Sequence, residues 1–336
     1  MKILVNTILI LITSLILISC SNNSPTQGGI TLEDSYFSWT TIDTSAGYSI
    51  EDLYAVDAQT FFAAGSKSYK FSNGTKIRMN FSDTNFFGKI VRAYNSNYAV
   101  FSNASSFTND NVILQIYNGS SLEEHIVSTN GSDIIDISIL EPGKILCATQ
   151  KRLFLFSSGN IIDIPLPASS RVSTFGNSNN QQLVLLSQNG GYSLYQYLNQ
   201  NLTFIRRDTM YYQPYKLKMD FIRARGISEE LMSYDYLDGT NWNQMFTRSY
   251  FKFIATFEIL SGESKNFFVY LSKDSSYTRN LQVWNGTSSY KESNFPNDLN
   301  GSYDKKISNY TDNTFFFYYG NYINNGVILK ASRIKF

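Results

Sequence analysis

The chain has 336 residues, a net charge of +1 and only 16% charged residues. That balance, without a block of like charge, argues against a nucleic-acid partner, which demands a basic stripe to displace counterions. His125 is the single histidine and there are two cysteines, too few for zinc sites built on several Cys or His ligands. Phe and Tyr, at 25 and 24 copies, are abundant beside Asn and Ser. Runs of Ala, Glu, Lys and Leu are missing, so the composition is all-β.

The chain opens with Lys2, an apolar run from Ile3 to Ile18, and the small residue Ser19. This is the order of a secretory signal. Asn6, Thr7, Thr13 and Ser14 interrupt a run already short of the roughly 20 residues a spanning helix needs. Leu17-Ile18-Ser19-Cys20 resembles the lipobox of bacterial lipoprotein signal peptides. The resemblance implies cleavage before Cys20, a diacylglycerol thioether on its sulfur, and acylation of the palmitate kind. Residues 1–19 are then the signal peptide and 20–35 a lipidated terminus with a polar, flexible tether (Ser21 to Gly29). Acyl burial at about 0.8 kcal/mol per CH₂ holds such a chain at a membrane. The implied location is the extracytoplasmic cell envelope, on the outer membrane if the host has one, since Ser21 rather than Asp follows the cysteine.

From residue 36 on, one element recurs: an aromatic or apolar run, an Asn/Gly-rich turn, and a further strand. The turns are Asn73-Gly74, Asn118-Gly119, Ser158-Gly159, Asn199-Gln200, Asp238-Gly239 and Asn285-Gly286. Asn-Gly and Asp-Gly accept the positive φ of two-residue hairpins. The glycines fall about 40 to 47 residues apart, the period of a four-stranded propeller blade. The first unit places strands at Ile50–Val56, Thr60–Ala64, Lys67–Phe71 and Lys76–Phe81. The third places them at Asp133–Ile137, Lys144–Ala148, Arg152–Phe156 and Ile161–Ile164. The fifth, Tyr215 to Arg248, matches least well.

The seventh unit offers only Lys306–Tyr310, Thr314–Tyr319 and Val327–Ile334, while Tyr36–Ile42 stands unmatched before the first. A ring in which the N-terminal strand completes the last blade satisfies both and removes the open edges. Residues 36–336 resemble bacterial β-propeller repeat proteins in this pattern, without the WD, kelch or Asp-box signatures. The expected fold is a β-propeller of seven four-stranded blades. Two tandem β-sandwiches are the alternative.

Chemistry-bearing residues are sparse. His125 lies in the strand Leu122–Val127 with no partners for catalysis or metal binding, and Cys147 sits in an apolar run as a buried small hydrophobe. Paired carboxylates could hydrolyse glycosides; the candidates are Glu123-Glu124, Glu229-Glu230, Asp235 with Asp238, and Asp298 with Asp304. Adjacent glutamates on a strand point to opposite faces, so neither Glu-Glu pair straddles one bond. No catalytic residue, cofactor or metal is expected. Arg206-Arg207 beside Met210–Tyr215 is the densest basic and aromatic cluster outside a clear strand.

The expectation is a lipid-anchored, non-catalytic binding or scaffolding module. The alternatives are a glycan-active enzyme and an assembly subunit of an envelope complex. The partner would be a protein or a glycan, besides the membrane reached through the lipid. Longer connections at Phe101–Asn111, Asp208–Pro214, Lys273–Arg279, Asn294–Asp304 and Gly320–Gly326 would share one face, with Arg207, Tyr211 and Tyr212 as first contacts.

Overall fold

Strands of alternating burial pair with their sequence neighbours into seven antiparallel four-stranded sheets. The computed structural model describes residues 35–334 except 45–48, 82–86, 104–110, 129–131, 179–180, 189, 210–212, 228–230, 250–256, 274–278, 293–294, 296–303 and 321–325. The lipobox and Cys20 lie outside the described residues, as do Tyr211 and Tyr212. Among the described residues no helix is long and apolar enough to cross a membrane.

β1 (Phe37–Asp43) comes first in the chain but belongs to the last sheet. Blade 1 is β2 (Ile50–Ala55), β3 (Thr60–Gly65), β4 (Tyr69–Ser72) and β5 (Thr75–Arg78). Blade 2 is β6 (Gly88–Asn95), β7 (Tyr98–Asn103), β8 (Asn111–Tyr117) and β9 (Leu122–Ser128). Blade 3 is β10 (Asp136–Glu141), β11 (Lys144–Ala148), β12 (Leu153–Ser157) and β13 (Asn160–Ile164). Blade 4 is β14 (Arg171–Ser178), β15 (Gln181–Gln188), β16 (Gly191–Leu198) and β17 (Asn201–Asp208). Blade 5 is β18 (Gln213–Lys216), β19 (Phe221–Gly226), β20 (Leu231–Asp238) and β21 (Asn241–Ser249). Blade 6 is β22 (Phe257–Ser264), β23 (Phe267–Lys273), β24 (Arg279–Trp284) and β25 (Ser289–Lys291). Blade 7 is β26 (Asp304–Ile307), β27 (Thr314–Gly320), β28 (Val327–Arg333) and, outermost, β1. The fold is a seven-bladed β-propeller closed by the N-terminal strand, as the pattern predicts.

Two local expectations shift. The first strand of blade 3 starts three residues later than Asp133, with Asp136 opposite Ala148, although Ile135 N already donates to Ala148 O. The turns are of three kinds. Asn73-Gly74 (φ 50° and 78°), Ser158-Gly159 (50° and 84°) and Asn199-Gln200 (50° and 65°) are two-residue turns with both φ positive. In blade 5 Gly239 alone, at φ 58°, is left-handed, and Asp238 ends the strand before it. Asn118 and Asn285 instead open four-residue loops. Asn118 Oδ1 accepts from the backbone N–H of Ser120 and Ser121, and Asn285 Oδ1 from Thr287 and Ser288.

Side-chain alternation feeds two cores per blade. In blade 3, Ile145, Cys147, Phe154 and Phe156 pack on blade 2, while Leu146, Ala148, Leu153 and Leu155 pack on blade 4. The aromatic run of β27 divides likewise: Phe315, Phe317 and Tyr319 join blade 6, and Phe316 and Tyr318 join blade 1. Polar links cross each junction. Asp52 Oδ2 accepts from Val91 N (3.0 Å), Asp136 Oδ2 from Thr174 Oγ1 (3.4 Å) and Asp208 Oδ2 from Trp242 Nε1 (2.9 Å). Asp220 Oδ2 accepts from Lys265 N (2.7 Å), Glu292 Oε2 from Tyr36 N (2.9 Å) and Asn309 Oδ1 from Ala55 N (2.9 Å). Between blades 2 and 3, Gly143 N donates to the Tyr98 hydroxyl at 2.9 Å.

Candidate functional site

The first strand of each blade lines the central channel, and the antiparallel order gives the channel two unlike ends. Connections between first and second, and third and fourth, strands emerge at one end, called here the hairpin end. Connections between second and third strands, and between blades, emerge at the other. All five long connections singled out in the sequence belong to that second end.

At the long-loop end the channel opens into a cavity of about 620 Å³ lined by Glu51, Asp52, Lys89, Ile90, Arg92, Ser132, Asp133, Ile134, Ile135, Gln150 and Lys306. Glu51 and Lys89 are the second residues of β2 and β6, Asp133 stands three residues before β10, and Lys306 is the third of the four residues of β26. They form two ion pairs of partly exposed groups, Lys89 with Asp133 and Lys306 Nζ with Glu51 Oε2 at 3.6 Å. Pairs so open to water are worth about 1 kcal/mol or less, so a ligand can exchange with either partner at small cost.

Further along the channel, a space of about 530 Å³ includes Asp52, Arg92, Asp136, Thr174 and Lys216. Arg92 bridges the two aspartates, Nη1 to Asp52 Oδ2 at 2.5 Å and Nη2 to Asp136 Oδ1 at 3.4 Å. Burial opposes the Arg92 charge, but Asp52 and Asp136 outweigh it and hold its pKa above the ordinary arginine value. Lys216 Nζ lies 3.7 Å from Asp136 Oδ2, and the end of its carbon stem occupies the space where Gly176 lacks a Cβ. Burial pushes the Lys216 ammonium down; Asp136 pulls it up only in part, and Arg92 adds to the fall. Asp52 and Asp136 also accept from the backbone N–H of Leu53 and Ile137. Both channel carboxylates are therefore committed to charge and backbone partners, which rigidifies the floor below the open mouth.

Of the residues favoured from sequence, Tyr211 and Tyr212 lie outside the described residues, and Arg207 lies elsewhere. Arg207 is exposed in β17, the outermost strand of blade 4, at its long-loop end and apart from the mouth. Arg206 and Arg207 belong to a strand, not to a connector, which narrows the connector to residues 209–212. Arg206 Nη2 pairs with Asp208 at 2.7 Å and its Nη1 donates to the Thr240 carbonyl, tying blade 4 to blade 5.

Among the described residues the carboxylate candidates do not converge. Glu123 and Glu124 are exposed on the outer strand β9, where His125 leans on Phe156. Asp235 is buried between Arg223 and Arg225, both at 2.8 Å. Burial raises its pKa, and bonds from Ser233, Arg225 and Arg223 overcome this and hold it below the usual carboxylate value. Asp238 is exposed at a turn; Glu229, Glu230 and Asp298 lie outside the described residues. Among the described residues no cluster of His, Cys, Asp and Glu could hold a metal. Cys147 is fully buried, and burial pushes its thiol far above the ordinary range.

No family model and no curated protein matches the chain. Solved structures do. YCF48 bound to a D1 peptide aligns with a TM-score of 0.61 at 12% identity, over 90% of this chain and 96% of that one. YCF48 from Cyanidioschyzon merolae gives 0.59 at 9%, over 88% and 98%. The Cps50 (Swd1) β-propeller domain of Myceliophteria thermophila gives 0.62 at 6%, over 87% and 99%. At such identities the likeness concerns the fold.

Proposed function

We propose that the chain is a lipid-anchored envelope lipoprotein whose propeller is a non-catalytic module, binding a protein partner at the long-loop mouth of its channel. The observation that carries this reading is the mouth itself: a concavity with two weak, exchangeable ion pairs above a floor whose charges are committed. Such a surface offers a partner both signs of charge without a free acid–base pair. YCF48, of the same architecture, has been captured with a peptide bound, which supports a peptide or protein partner here. Phe37 pairs with Arg333 and Asp43 with Ile328, so the chain enters blade 7 at its hairpin end.

Two experiments test the two halves. Replacing Cys20 by Ser should abolish metabolic labelling with a fatty acid; undiminished label refutes the anchor. Crosslinked pull-down from envelope membranes should lose its partner on joint Lys89→Glu and Lys306→Glu substitution, by about tenfold or more in affinity. Asp238→Ala at the hairpin end should leave capture unchanged. Capture that survives the mouth variant and fails in the hairpin variant would reverse the assignment.

A further inference from the structure

At the hairpin end, between blades 1 and 2, lies a second cavity of about 570 Å³ whose lining includes Lys70, Ser72, Asn73, Asn97, Asp57 and Asp312. Lys70, the second residue of β4, is only 8% exposed. Its ammonium sits 5.2 Å from the ring centre of Tyr117 and 6.0 Å from that of Phe62. Among the described residues that ammonium has no hydrogen bond and no ion pair. The rings stabilise the charge on one side, and on the other Lys70 lines the cavity.

The two acids of the cavity do not supply the missing partner. Asp57 Oδ1 is taken by its own turn, accepting from Gln59 N and Thr60 N at 2.7 Å each, and Asp312 is exposed at the rim. Lys70 thus gives the cavity a largely covered cation with no protein partner among the described residues, and Asp312 a carboxylate at the rim. A bare anion would meet the acids first. A zwitterion satisfies both, its carboxylate on Lys70 and its ammonium toward Asp57 and Asp312.

We propose that this cavity is a binding site for a small zwitterion, an amino acid or short peptide, whose carboxylate is held by Lys70. The site stands apart from the long-loop mouth, and its failure would leave that reading untouched. The test is thermal melting of the mature protein with triglycine as probe. At about ten times the half-saturating concentration Tm should rise by roughly 2–4 °C. Triglycine amide should give no rise, and N-acetyl-triglycine should bind at least about threefold more weakly. Lys70→Met should abolish the response while Lys70→Arg retains part of it. An equal rise with the amide, an undiminished response in Lys70→Met, or no rise with triglycine would each overturn the proposal. Equal binding of N-acetyl-triglycine would overturn the role of the rim acids.

Discussion

Blades 3 and 7 share one architecture and are assembled by different means. All four strands of blade 3 are consecutive, and Ser158-Gly159 closes its outer hairpin with both residues at positive φ. Blade 7 draws three strands from the end of the chain and one from its beginning. Where blade 3 has a turn, blade 7 has contacts: Glu292 accepts from Ser35 Oγ (2.5 Å), Tyr36 N (2.9 Å) and Trp39 Nε1 (3.4 Å). Ile334 N donates to Tyr36 O and Arg333 N to Asn313 O. The cores differ too, aliphatic around Leu146 and Leu155, aromatic around Phe37, Phe315 and Phe317. A blade built from neighbouring strands needs only turn geometry. A seam must offset long-range loop closure with specific side chains.

The largest effect should come from removing the seam strand. Deleting residues 30–43 takes away β1 with buried Phe37 and half-buried Trp39, forfeiting about 25 cal/mol per Å² of apolar area and exposing new edges. Loss of a cooperative melt is expected, and an unchanged melt would show that the ring does not depend on closure. Next is Phe316→Ala. Phe316 stacks on Phe61 of blade 1 at 4.2 Å between ring centres, so truncation leaves a cavity across the seam and should cost about 3–5 kcal/mol in urea unfolding. Glu292→Gln follows, at about 1–3 kcal/mol, because a buried charged acceptor serving three donors becomes a neutral amide. If it costs nothing, the aromatic contacts alone hold the strand.

This division also explains what could be read from the sequence. The turns Asn73-Gly74 and Ser158-Gly159 and the unmatched strand from Tyr36 announced seven blades and their closure, because hairpin chemistry is local. Asn118 and Asn285 look like two-residue turn formers, but their side chains build a longer loop, a choice set by the flanking Ser and Thr hydroxyls. The mouth was not legible. Glu51, Lys89, Asp133 and Lys306 belong to four separate blades and meet only once the ring closes. A charge within or just before each of these first strands was the available signal. Lys70 was equally hidden, since a lysine in a strand reads as solvent-facing until the neighbouring blade covers it.

A smaller effect sharpens the contrast at the turns. Gly159 has φ 84° and open space where a Cβ would stand, so Gly159→Ala in blade 3 meets backbone strain and no clash. The expected cost is about 1–2 kcal/mol, and blade 7 has no equivalent position, its outer pair being unlinked by a turn. A loss much above that, measured by urea unfolding, would mean that turn closure limits blade 3 as strongly as side-chain contacts limit the seam.

The smallest effect at neutral pH, and the most specific to the seam, concerns Tyr310. Burial pushes its phenol up to about 12, while Arg333, hydrogen-bonded to it, lowers the value only in part. Its ring packs on Phe267 at 5.3 Å, and the Arg333 guanidinium lies over that same Phe267 ring at 3.7 Å. An unfolded tyrosine ionises near 10, so the folded value is the raised one. Its contribution to stability is full below about pH 10 and is lost as pH rises toward 12, because the unfolded chain releases the proton first. Tyr310→Phe keeps the ring contacts and should leave stability at pH 7 nearly unchanged. Between pH 10 and 12 the variant should lose stability less steeply than the wild type, with one fewer phenol titrating late in the ultraviolet absorbance. An alkaline limb unaltered by Tyr310→Phe would place the pH-sensitive burial elsewhere in the ring.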